Sequence, residues 1–340
     1  GWLAQNFSWR VAFMMVGLPG ILIAIAIKLL MKEPPRGHSE PEALPLSPED
    51  LTPEVVEPPK PPVTLGSEVK ELWAVTAILF GRWPVAHMVL GMTIASFAGY
   101  GWGQFAPPYF IRTFGLGLAQ VGLLIGLIAC FSNGLGTLVG GFLTDRLAKR
   151  SPRWYALTPA IGLALSAPIY IYAYTRSSWQ LAGLILLLPG ILHYTYLGPT
   201  FGVVQNMVET RRRATATAIL LFFVNLIALG GGPPFTGWLI DRFATYDFHH
   251  VGAASTWAAL TGMFGHAAVR FQEVCPGGVA PAGSAPELMG QCKATVALAT
   301  RQGIVVTLCF LVWAAVHYLL GSIGLVQALS RARADRGEAD

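Results

Sequence analysis

The chain predicts an all-α, polytopic membrane helix bundle, and three observations carry that prediction. Of its 340 residues 54% are hydrophobic and 12% charged, about half the charged share of a soluble domain, and mean hydropathy is +0.54. Seven apolar runs have the length of ~20 residues that crosses a bilayer core: 11–30, 85–110, 118–143, 154–174, 181–207, 214–240 and 303–329. None of the runs shows the period-2 alternation of a barrel strand. Pro and Gly inside them are tolerated where neighbouring helices satisfy the freed backbone groups.

Cation placement sets the orientation. With the segment after the first run inside, 16 of the 23 Lys and Arg fall on the cytoplasmic side, as the positive-inside rule requires. Gly1 then starts outside and Asp340 ends inside. Membrane loops account for the net charge of +5, so no nucleic-acid partner is implied.

The first membrane helix falls within 1–32. Residues 33–82 form a cytoplasmic linker, 83–330 a six-helix half with an outer loop at 243–300, and 331–340 a cytoplasmic tail. Residues 33–65 are rich in Pro and Glu, including Pro34-Pro35, Pro58-Pro59 and Pro61-Pro62, and read as an extended or disordered tether. Val69, Leu72, Trp73, Thr76, Leu79 and Phe80 then recur at helical spacing. That stripe fits either an amphipathic helix on the membrane surface or a continuation of the next span, with Pro84 at the join.

Polar groups within the spans are few. Asn133 and Asn225 read as interhelical hydrogen-bond partners, with ligand contact as the alternative. His193 is the ionisable group well inside its span, and no Asp or Glu lies mid-span. Cys275 and Cys292 share the outer loop with Pro, Gly and Ala between them, which points to a disulfide, two free thiols being the alternative. Cys130 and Cys309 read as inert packing residues. His249, His250 and His266 lack zinc-type spacing, so no metal is expected. There is no H-E-x-x-H, G-x-S-x-G or G-x-x-x-x-G-K-[ST], which argues against an enzyme.

Between two uncharged runs stands Gly141-Phe142-Leu143-Thr144-Asp145-Arg146-Leu147-Ala148-Lys149-Arg150, a G-x-x-x-D-R-x-x-K-R pattern. Glycine permits close helix approach. Asp145 can accept from a helix N-terminus or from Arg212 or Arg213, and Arg146, Lys149 and Arg150 hold the loop inside. An ordinary basic loop is the bland alternative. The pattern resembles the signature loop of the major facilitator superfamily of transporters. Gly1-Trp2-Leu3 also echoes Gly237-Trp238-Leu239, as between the two repeat halves of such transporters. On that echo the chain is a fragment that begins after the fifth helix and runs through the twelfth.

Further stretches resemble the spinster-like branch. They are Ser8-Trp9-Arg10-Val11-Ala12-Phe13 with Gly17-Leu18-Pro19-Gly20, Pro107 to Leu116, Val204-Gln205-Asn206-Met207-Val208 through Arg213 to Ala218, and Gly232-Pro233-Pro234 with Gly237 and Asp241. The resemblance implies a multi-pass protein of the cell membrane, a bacterial inner membrane being the expected setting. It also implies secondary active transport of a small amphiphilic or organic solute, lysolipid-like in the branch's own precedent. A membrane-embedded receptor or structural protein is the alternative. Besides substrate and membrane lipid no partner is expected, and the complete protein is expected to be a monomer. No cofactor is implied, only an ion or proton gradient, with the coupling carboxylate in the other half.

In this architecture the seventh and tenth helices line the cavity. Tyr100 and Gln104, four apart, share one helix face, and His193 and Tyr196, three apart, share another. All four are expected on one cavity with apolar walls and a few polar tips. Interfacial aromatic belts, or packing against neighbouring helices, are the bland readings. Arg213 joins Gly141, Asp145, Arg146, Lys149 and Arg150 in the expected gating cluster, and Gly237 is expected at a helix interface.

Overall fold

A computed structural model describes residues 2–31, 64–250, 256–265 and 269–335. Residues 33–63 of the tether expected at 33–65, His266 and the tail residues 336–340 lie outside the described residues, whereas Leu65 already opens a helix. Residues Trp2–Glu71 and Leu72–Asp340 form two compact units.

In the first unit, α1 (Trp2–Asn6) precedes α2 (Trp9–Leu30). Ser8 caps α2 by accepting from the Val11 N–H at 3.3 Å, which satisfies one of the orphan donors of the first turn. No residue of α2 is buried. An apolar helix with no buried face belongs in lipid.

α3 (Leu65–Gly81) meets α4 (Trp83–Phe114) at 96°. It is therefore a separate helix and not a continuation of the span. Pro84 sits in the first turn of α4, where its missing N–H costs nothing. Val75 and Leu79 are the buried residues of α3, whereas Val69, Leu72 and Trp73 of the expected stripe are exposed. The packed face is thus set by what α3 meets beyond Leu72.

The remaining helices are α5 (Leu118–Ala148), α6 (Trp154–Tyr174), α7 (Trp179–Tyr194), α8 (Leu197–Asn206), α9 (Arg213–Phe223), α10 (Gly230–His249), α11 (Thr256–Gly262), α12 (Phe271–Val274), α13 (Pro286–Gly321) and α14 (Leu325–Asp335). No strand occurs among the described residues. Among those residues six helices or helix series are long and apolar enough to cross a membrane, and the bent α3–α4 pair makes a seventh.

Three expected spans are not single α-helices. The run 181–207 breaks between α7 and α8 at Thr195 and Tyr196. Pro199 lacks an N–H and its ring crowds the carbonyl of residue 195, so the ladder stops there. The run 214–240 contains a π-helical stretch, Val224–Leu229, directly before Pro233 and Pro234. Two absent donors shift the ladder, and the extra residue is absorbed as a π-bulge. The run 303–329 ends at Gly321, and Gly324, with φ 76°, turns the chain into α14. That left-handed conformation favours glycine.

α4 and α13 form the spine, with α10 against both, α6 against α13, and α7 wedged between α5 and α6. Glycine allows the closest approaches. A Cβ on Gly101 would lie 3.1 Å from the Gly232 carbonyl, and one on Gly232 2.5 Å from that of Phe97, so α4 and α10 touch backbone to backbone. Buried threonines return their hydroxyls to their own helices, as Thr93 to the Val89 carbonyl and Thr307 to the Gly303 carbonyl, both at 2.8 Å. This satisfies a donor without a partner helix.

At the end away from the basic loop α10 continues to His249 and α13 starts at Pro286, both inside the expected outer loop. Around them a lobe packs Phe243, Met263 and Phe271. Cys275 and Cys292, both fully buried, are joined at 2.03 Å. His249 and His250 are bonded to the carbonyls of Val269 and Tyr246, each at 2.8 Å. Among the described residues no cluster suited to a metal ion is found.

Candidate functional site

Where α4, α7 and α8 meet, the polar side chains form two layers. The inner layer is sealed. His193 is 1% exposed and Tyr196 4% exposed. The Tyr196 hydroxyl shares a hydrogen bond with Ser96 at 3.0 Å, and His193 Nε2 lies 3.3 Å from the Ala95 carbonyl. The His193 ring stacks on Tyr194 with centroids 5.2 Å apart and meets Tyr170 edge-on at 6.1 Å. Tyr170 in turn lies 5.1 Å from Trp102. Below, Thr200 and Tyr318 share a hydrogen bond of 2.6 Å between α8 and α13.

The outer layer is open. Tyr100 is 40% exposed, Gln104 and Asn133 are exposed, and Tyr194 is half-buried. Asn133 of α5 faces the Tyr194 hydroxyl. Tyr100 lies close to both Tyr194 and Tyr196. The four expected cavity residues therefore divide. Tyr100 and Gln104 are on the open face of α4, while His193 and Tyr196 stand behind it, packed on α4. His193 and Tyr196 keep their common side, with ring centroids 5.8 Å apart, but that side is packed and not open.

Asn133 is exposed in the open layer and its side chain hydrogen-bonds from α5 to Tyr194 of α7, the interhelical role expected of it. Asn225 is exposed and donates to the Leu221 carbonyl of its own helix at 2.8 Å. Gly237 is at an interface, where a Cβ would meet the Phe105 ring at 3.2 Å. Ser96, not singled out in the sequence, precedes Tyr100 by four residues, a spacing that could have pointed to it, although it is buried where Tyr100 is open. Tyr194 and Tyr170 carry no comparable signal; only packing selects them.

The basic end holds the signature pattern. Asp145 is exposed and accepts a hydrogen bond from the Tyr155 hydroxyl at 3.2 Å. A cavity of about 450 Å³ there is lined by Asp145, Lys149, Tyr155, Asn206, Leu329 and Arg333. Arg146, Lys149 and Arg150 are exposed. Arg212 stands 4.0 Å from Glu209, and the buried Nε of Arg213 has no hydrogen-bond partner. The recorded partner of Asp145 is thus Tyr155, where Arg212 or Arg213 was expected. A Cβ on Gly141 would meet nothing within 4 Å, whereas one on Gly140 would strike the Thr195 backbone. Gly140, one residue before the pattern, is the close-approach glycine. α14 lies over this end, with Arg82 and Asp335 paired at 2.8 Å.

The family profile of the Major Facilitator Superfamily matches residues 1–233. The chain belongs to the Major Facilitator Superfamily. It is 30% identical over 241 residues to an MFS-type efflux pump of Mycolicibacterium smegmatis, a match covering 71% of this chain and 50% of the pump. It is 24% identical over 251 residues to human protein spinster homolog 1, covering 69% of this chain and 44% of that protein. A crystal structure of a bacterial homologue of the human lysosomal transporter spinster, inward-facing and unoccupied, superimposes with a TM-score of 0.66 at 28% identity. That superposition covers 96% of this chain and 63% of the other. The chain spans about half the length of the curated relatives it matches. This superfamily member is a spinster-like, multi-pass membrane protein, and its relatives are transporters and not enzymes.

Proposed function

We propose that this superfamily member takes part in secondary active transport of a small amphiphilic organic solute by alternating access, driven by an ion or proton gradient. The observation that carries the reading is the open layer on α4, α5 and α7: Tyr100, Gln104, Asn133 and Tyr194 on an otherwise apolar wall. Tyrosine offers an apolar face with one polar tip, and the two amides offer donors and acceptors. That set suits a solute with a long apolar part and one polar end better than a bare ion. A lysolipid-like substrate accords with a sphingosine-1-phosphate transporter of mouse that is 27% identical over 133 residues, 38% of this chain. His193 and Tyr196 support the layer from behind and keep its register.

The test is flux of a fluorescent lysolipid into proteoliposomes containing the full-length protein. Replacing Tyr100 by Phe, Gln104 by Leu and Asn133 by Leu together is expected to lower flux about tenfold, the loss of roughly 1.4 kcal/mol of recognition, with unchanged insertion. Normal flux in that variant would remove the layer from the substrate path.

A second expectation concerns the basic end. Asp145→Asn keeps the hydrogen bond from Tyr155 but removes the charge beside Lys149 and Arg333. Transport is expected to slow several-fold with thermal stability unchanged, because exposed charge pairs contribute only ~0–1 kcal/mol to folding. Wild-type transport by a well-folded Asp145→Asn protein would rule out a gating role.

A further inference from the structure

Two carboxylates on α10 have opposite surroundings. Asp241 is exposed, and its Oδ1 accepts a hydrogen bond from Gln272 Nε2 at 2.8 Å. Asp247, six residues on, is 4% exposed, and neither of its oxygens has a hydrogen-bond partner. The polar side chain that acts most directly on it is Gln302 of α13. Gln302 is 1% exposed, and both its Oε1 and Nε2 also lack a partner. Four unpaired polar atoms thus share one sealed place between α10 and α13, under the lobe built on Phe243, Phe271 and the Cys275–Cys292 bridge.

Burying polar atoms unpaired is costly, and burying an isolated ionised carboxylate is costlier still. The ionised form offers acceptors only, so it can use Gln302 Nε2 but leaves Gln302 Oε1 facing another acceptor. The neutral acid matches the amide on both sides: its O–H donates to Oε1 while its carbonyl oxygen accepts from Nε2. We propose that Asp247 and Gln302 form a proton-binding site at the outer end of the bundle, with the proton on Asp247 and shared as a hydrogen bond with the Gln302 amide oxygen.

The charged groups around the site come from each packed element. His250 on α10 and Arg301 on α13 act on Asp247, but neither closes an ion pair with it. Arg112 of α4 is turned to Thr300, at 2.9 Å, and toward Asp241. Glu273 of α12 accepts from the Arg270 N–H. Among the described residues no neighbour supplies the close cation that a buried carboxylate anion requires. The site links α10 to the first part of α13, where the lobe is anchored, so gain or loss of the proton would alter the grip between lobe and bundle.

The test uses the full-length protein in detergent. Infrared spectra at mildly acidic pH should contain a protonated-carboxyl band that moves on ¹³C-aspartate labelling and is missing from Asp247→Asn. The unfolding temperature of the wild type should fall by about 2–4 °C as pH is raised through the mildly acidic range and level off by neutral pH. The fall follows because the neutral form is the one that folds well and is lost as the proton leaves. Asp247→Asn, whose amide also pairs with Gln302 on two sides, should lack that fall. Absence of the labelled band from wild-type protein would overturn the proposal even if the variant did not fold. A pH dependence identical in both proteins would overturn it as well. So would stabilisation of the wild type by sodium at alkaline pH that Asp247→Asn lacks, since the occupant would then be an alkali cation.

Discussion

Gly140→Val is expected to abolish the folded protein in detergent, while Gly141→Ala next to it leaves stability unchanged or raises it slightly. A Cβ at Gly140 would lie 2.5 Å from the Thr195 Cα and 2.7 Å from its carbonyl oxygen. Both atoms belong to backbone, so no rotamer change relieves the clash, and α5 must part from the α7–α8 junction. Gly162 of α6 faces the same junction, with the Leu192 carbonyl 2.7 Å from its Cβ position. Thr195 is therefore clamped from two sides, and overpacking there should cost about 3 kcal/mol or more. Gly141 has open space at its Cβ position, and replacing an interior helical Gly by Ala contributes up to ~1 kcal/mol. Thermal unfolding of the two purified variants decides the matter. Equal loss in both would mean that the tight contact is not where the structure places it.

Removing the outer bridge is the second large effect. Cys275→Ser with Cys292→Ser opens a loop of 17 residues, worth about 3 kcal/mol in the chain-entropy model. It also places two hydroxyls where both side chains are fully buried beside Phe271. The lobe is expected to become sensitive to protease between α12 and α13, while the membrane bundle keeps its unfolding temperature. The asymmetry follows from separate cores: the lobe packs around Phe243, Met263 and Phe271, and the bundle around α4 and α13. Limited proteolysis with mass spectrometry reads it. An intact lobe in the double variant would mean that its apolar core suffices alone.

Much of the fold is legible along the chain because membrane spans are written in length and charge. Residues 154–174 emerge as α6 with the same limits, since tight polar turns bound that run on both sides. The ends of α10 and α13 are not legible, because both helices run past the expected spans on residues whose apolar side packs in the lobe. Phe243, Ala244, Val296 and Ala299 are buried there, and nothing in their spacing distinguishes lobe from lipid. The candidate site was legible by half. Tyr100 and Gln104 lie on one open face because α4 is an unbroken helix through that stretch. His193 and Tyr196 share a side as their three-residue spacing implies, but spacing alone does not say that this side packs on α4.

Alone, the sequence determined that this chain is helical and that it crosses a membrane repeatedly, and it set the expectation that its basic loops share one side. Those properties depend on the summed transfer free energy of about 20 side chains at a time, which needs no neighbour to be defined. Only the tertiary structure decided which glycine is clamped, which tyrosine is open, and that Asp247 is sealed against Gln302 while Asp241 is not. Those outcomes depend on contacts of a few ångströms between residues far apart in the chain, as with Gly140 and Thr195 or Asp247 and Gln302. Close packing makes each of them sensitive to the phase and bend of every helix involved.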